Sequence, residues 1–140
     1  VKTWIEPIKE LEACEEALVW AESYDSLAEA WAKCERGDWM LWLLGRLAGA
    51  PESDSRKKLV LATCQCARLA LPFVKKGESI PLKVIETTEA WARGEGGITL
   101  KDVKTAAAAA YSAAYSAAAR LSILKRCADI VRSFYTWPRI

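Results

Sequence analysis

The side chains best suited to chemistry in this chain are five cysteines, a few neighbouring carboxylates and a glycine pair. Cys64-Gln65-Cys66 sets two thiols at i,i+2. On a helix they point to different faces, so they cannot grip one metal together. No Cys-x-x-Cys opens a helix, which argues against thiol redox work. Glu86 and Glu89 form a close carboxylate pair, but Arg93 stands beside them. An exposed ion pair is the expected account of all three. Glu95-Gly96-Gly97 has a helix after it but no strand before it and no Lys-Ser/Thr. It reads as a linker, not a phosphate cradle. There is no histidine, which removes the commonest general base and metal ligand and every Ser-His or Cys-His pair. The expectation is a protein without catalytic residues, cofactor or metal: not an enzyme.

Bulk properties point to a single helical domain over residues 1–140. At 52% hydrophobic and 27% charged, the chain has a globular composition. Cys14, Cys34, Cys64, Cys66 and Cys127 all fall among apolar residues in predicted helices. Their odd number and the lack of short-loop spacing argue against a disulfide framework and suit small buried hydrophobes in a reducing compartment, hence a cytoplasmic protein. No secretory leader is expected at Val1, although residues could precede it. No run is both long and lipophilic enough to cross a bilayer. Net charge is +2, unevenly spread: residues 1–54 hold twelve acids and five bases, the remainder six acids and fifteen bases. Complementary packing of the two halves is the expected use of that asymmetry. The basic residues of the C-terminal third scatter round a helix axis, as on a solvated face, so no nucleic-acid partner is expected.

Periodicity then places the elements, and no strand signal interrupts them. A first helix is predicted from about Glu6 to Glu22, with Ile8, Leu11, Cys14, Leu18 and Ala21 as its apolar stripe. A second starts at Asp25 or Ser26 and stops at Gly37, with Glu29 and Lys33 paired on its outer face. In this reading Arg36-Gly37-Asp38 is a helix stop and an N-cap rather than an adhesion motif. A third helix, Trp39 to Ala48, is apolar on nearly every side and belongs at a bundle centre. Ser53, Asp54 or Ser55 caps a fourth that runs to Leu71 before Pro72. Pro81 opens a fifth, which faces inward through Val84, Ile85, Thr88, Trp91 and Ala92 and outward through Glu86, Glu89 and Arg93, and ends at Gly94.

The last third predicts one long helix. Thr99 is an N-cap with Asp102 at N3. Val103, Ala107, Ala110, Ala114, Ala117, Leu121, Leu124, Ala128, Val131 and Tyr135 then follow in steps of four and three. This 3.5-residue repeat is that of a helix that supercoils against a partner. Over residues 100–135 it would extend about 54 Å at 1.5 Å per residue, against about 37 Å for a compact domain of this length. Either it breaks or other protein covers it. The fold expected is thus all-α: a single-domain bundle of about six helices with a long Ala-rich C-terminal helix.

Two aromatic features suit protein contact. Trp20 lies nearly opposite the stripe of the first helix, in line with Glu16 and Tyr24 by i,i+4 spacing. It either tucks beneath the next turn or stands as an exposed anchor. Tyr111 and Tyr115 sit together beside the alanine seam, where they suit a partner contact and intrachain packing equally.

Several segments resemble, in order, a known family. Glu29-Ala-Trp-Ala-Lys-Cys-Glu-Arg-Gly-Asp-Trp-Met-Leu-Trp-Leu-Leu-Gly-Arg-Leu47 is similar to a stretch of the small all-helical immunity proteins of bacterial polymorphic toxin systems. So are Cys64–Leu71, Ile85–Arg93 and Cys127–Arg132, and the resemblance runs from about residue 11 to 133. It carries no residue-level assignment. It implies a cytoplasmic, non-enzymatic protein that binds and neutralises a cognate toxin protein. Glu12, Glu16, Trp20, Tyr24, Tyr111 and Tyr115 are the candidate contacts, and the acidic N-terminal half would suit a basic toxin. The alternative is a homodimer or larger homo-oligomer, a scaffold assembled through the Ala-rich heptad helix.

Overall fold

The computed structural model of the chain describes residues 2–73, 77, 79–95 and 117–140. The described residues are helical without a strand: α1 (Glu6–Glu10), α2 (Glu15–Ala21), α3 (Leu27–Lys33), α4 (Gly37–Leu47), α5 (Asp54–Arg68), α6 (Ile80–Ala92) and α7 (Ala117–Phe134). The predicted start of the long helix, with Thr99, Asp102, Tyr111, Tyr115 and most of the alanine run, lies outside the described residues.

α4, α5 and α7 form the centre, with α6 laid along α5. Met40, Leu43 and Leu44 of α4 meet Leu59 and Cys66 of α5 and Cys127, Ala128 and Val131 of α7 in one buried cluster. The all-round apolar α4 therefore takes its expected central place, although Trp42 and Leu47 remain exposed. The heptad pattern places Leu124, Ala128 and Val131 on a partner-seeking ridge, but they are buried within the chain's own core. On the same heptad series Leu121 is 71% exposed.

Local chemistry explains most helix ends. Ser26 and Ser53 cap α3 and α5, accepting hydrogen bonds from the Glu29 and Arg56 amides. Glu29 completes the first cap by accepting from the Asp25 amide at 2.9 Å, so it serves the helix end rather than the expected pair with Lys33. α5 stops at Arg68, short of Leu71: Leu69 and Ala70 make tight i,i+3 bonds, and a 3-10 turn (Leu71–Phe73) takes in Pro72. α6 ends in a Schellman motif with Gly94 at φ +73°; the Gly94 amide bonds Trp91 and the Glu95 amide bonds Ala90.

The predicted first helix is instead two. α1 ends in the same motif, with the Glu12 amide on the Lys9 carbonyl and the Ala13 amide on that of Ile8. Here a glutamate takes the left-handed position, at φ +69°. α2 restarts after Cys14, which is exposed at the N-cap rather than buried.

Gly37 is also corrected. It lies inside the first turn of α4 and stops nothing. A Cβ there would sit 2.5 Å from Cys127 Sγ and 2.7 Å from the Ala128 backbone nitrogen. The glycine is what lets α4 and α7 approach this closely. Arg132, expected on a solvated face, caps α3 from α7: its Nη1 donates to the carbonyls of Trp31 (3.0 Å) and Cys34 (2.7 Å). Only one ion pair among the described residues, Glu35–Lys125 at 3.5 Å, joins the acidic and basic halves. Most N-terminal acids are thus left facing solvent.

Candidate functional site

The break between α1 and α2 opens a groove. It holds about 510 Å³ and lies between the α1–α2 turn, α2, α3 and the first turns of α4. Its apolar walls include Trp20, Trp31, Trp39 and Trp42, with Met40 and Leu43 behind them. Trp31 forms the buried floor, fixed by α3 and by its Nε1, which donates to the Tyr135 carbonyl at 3.4 Å.

One wall is a ladder of rings. Tyr24 packs on Trp20 with centroids 4.7 Å apart, and Trp20 meets Trp39 at 5.7 Å, both tilted. Such tilted pairs contribute about 0.5–1.5 kcal/mol each beyond the area they bury. The Arg36 guanidinium caps the ladder 4.3 Å over the Trp39 ring. Asp38 holds that guanidinium in a fork, accepting from Nε at 2.9 Å and Nη2 at 2.8 Å, and Glu16 accepts from Nη1 at 3.4 Å. Burial works against the charged Asp38, but the Arg36 hydrogen bonds and charge prevail and keep its carboxyl below the ordinary value of 3.8. The same bonds to Asp38 raise Arg36 above its ordinary value.

The candidate contacts from sequence divide cleanly. Glu12, Glu16 and Trp20 line the groove, and Tyr24 supports it by stacking on Trp20. Trp20 is half-buried, both packed against the core and facing the cavity. Tyr111 and Tyr115 lie outside the described residues. Sequence reasoning missed Arg36, Asp38, Trp39 and Trp42, assigning the first two to a helix boundary and the tryptophans to the core. The available signal was Arg36, Asp38 and Trp39 within one turn, which brings a cation, its carboxylate and a ring together.

A second charged cluster lies away from the groove. Glu89, expected on the outer face of α6, is 2% exposed. It is paired with Arg68 of α5 and, at 3.9 Å, with Arg93. Its place follows from Ile85, Glu89 and Ala92, which share the buried side of α6 by i,i+4 and i,i+3 spacing. Glu86 stays outside, so the two carboxylates do not act as a pair. The nearby Cys64 thiol is pushed up to about 11 by burial and by Glu89, and Cys66, a free thiol hydrogen-bonded to Cys127 and buried, is driven higher still. Both are held as neutral thiols, poor nucleophiles at neutral pH. Among the described residues no three His, Cys, Asp or Glu side chains converge to hold a metal. No described helix is long and apolar enough to cross a membrane.

No protein-family model, curated protein or solved structure matches this chain.

Proposed function

We propose that this chain is a cytoplasmic binding protein of the immunity type, which neutralises a cognate toxin protein by docking it on the α2–α4 face. The observation that carries the reading is the groove: about 510 Å³ of open, tryptophan-walled space, rimmed by carboxylates and fixed by the core. Exposed tryptophan with a polar rim is the composition of a protein contact centre. The ordered segment resemblance from residue 11 to 133 supports the same class. The work is recognition without catalysis: rings supply buried area and the acidic half steers a basic partner.

Co-expression with the products of the neighbouring genes, one of which the proposal expects to be a toxin, tests it. Growth is restored by the natural chain and not by Trp39→Leu, although that variant folds. If no neighbouring gene product binds the chain or harms the cell, the immunity reading is wrong.

A further inference from the structure

We infer that the groove receives a basic segment of its protein partner, with a lysine or arginine stem along the tryptophan wall and its cationic head beside Glu12 and Glu16. The inference rests on the reading above, that this groove is the docking face.

The charges lining the groove decide the sign of the occupant. They are Glu12, Glu16, Asp38 and Arg36, a net charge of −2. An acidic segment would meet like charge, and a purely apolar one would strip water from carboxylates without replacing it. A cation on an aliphatic stem suits both parts of the site, its stem on rings and its head among carboxylates.

The protein itself displays this mode of binding. Arg36 lies 4.3 Å over Trp39 and is held by Asp38 and Glu16. That one guanidinium leaves two carboxylates in excess. Glu12 makes no ion pair among the described residues, and the Glu16 side chain is 72% exposed. The place for a further cation is therefore the Glu12–Glu16 rim, next to Trp20.

Volume favours a segment over a free amine. A dry engineered cavity of about 150 Å³ is filled by one benzene. The groove, at about 510 Å³, has room for several neighbouring side chains.

The test titrates three probes against the full chain and reads tryptophan emission. They are a short amphipathic leucine–lysine peptide, its leucine–glutamate counterpart, and hexylammonium. The expected result is a preference of about tenfold or more for the lysine peptide over the glutamate one in dilute salt. That preference shrinks several-fold as salt rises from about 0.05 M to about 0.3 M. Glu12→Gln with Glu16→Gln removes the preference while the circular dichroism melt is retained. Equal affinity for both peptides, binding of neither, or a preference that survives the double variant would overturn the inference. Hexylammonium binding more tightly than the lysine peptide would overturn it in favour of a small-amine site. The two proposals fail separately. Loss of toxin binding in Trp39→Leu with no charge preference spares the docking face, whereas a lysine-peptide preference with no toxin partner spares only the cation site.

Discussion

Replacing Gly37 by alanine should weaken the fold by about 2 kcal/mol, and the figure follows from one contact. The new Cβ would lie 2.6 Å from Cys127 Cβ, 2.5 Å from its sulfur and 2.7 Å from the Ala128 nitrogen. Carbon atoms pack at about 3.5–4.0 Å, so α4 and α7 would have to part by about 1 Å. The Cys127 sulfur could turn away, but its Cβ and the Ala128 nitrogen are set by the main chain and cannot. Overpacking of this kind costs about 1–3 kcal/mol, and a fixed backbone obstacle places this site at the upper end. Alanine returns at most about 1 kcal/mol through its better helix propensity. The net loss should lower the melting temperature by about 5–10 °C, since domains of this size lose a few degrees per kcal/mol. Gly45→Ala, on the same helix, is the control. Its Cβ would meet nothing closer than 3.9 Å, so it should raise stability by about 0.5–1 kcal/mol. Calorimetry or a circular dichroism melt decides. The reasoning fails if Gly37→Ala is as stable as the natural chain, or if both variants shift the same way.

Three other consequences can be measured. Arg68→Met should cost about 2–3 kcal/mol in urea unfolding, because it leaves the buried Glu89 carboxylate with only Arg93 at 3.9 Å. Glu89→Gln should cost only about 1 kcal/mol because no buried charge is stranded; equal costs would deny that the Glu89 carboxylate depends on Arg68. Glu12→Gly should stabilise the fold by about 1 kcal/mol, by relieving a left-handed glutamate at φ +69°, while weakening binding of the proposed basic segment. A stability unchanged or lower would mean that the turn is not strained. For Asp38 the folded carboxyl titrates below its ordinary 3.8, so its stabilising contribution is complete above the unfolded value and disappears as pH falls through the lower folded one. Between about pH 5 and about pH 2 the natural chain should therefore lose more stability than Asp38→Asn, and parallel pH profiles would contradict the Arg36–Asp38 pairing.

What the sequence disclosed was what local chemistry decides. The caps at Ser26 and Ser53, the proline at the start of α6 and the glycine at its end are each set by a few adjacent residues, and each is found in the structure. The same Schellman geometry was legible at Gly94 and hidden at Glu12, since only glycine advertises a left-handed residue. Gly37 misled for the converse reason. Its purpose is the approach of Cys127, ninety residues later, and no local pattern encodes that. Glu89 was assigned to the outer face because charge usually seeks water, although its spacing with Ile85 and Ala92 placed it inside. Half of the groove was visible as Glu12, Glu16, Trp20 and Tyr24 at helical spacing. The other half depended on the α1–α2 break, which turns the Trp39–Trp42 side of α4 from core into cavity wall.

The most direct test is the affinity for this chain of the toxin partner proposed above, compared with Glu12→Gln/Glu16→Gln by calorimetric titration at low and moderate salt. The account predicts one-to-one binding by the natural chain that weakens with salt, and at least about tenfold weaker, salt-insensitive binding by the variant. Equal affinity of the two proteins at both salt concentrations would contradict it.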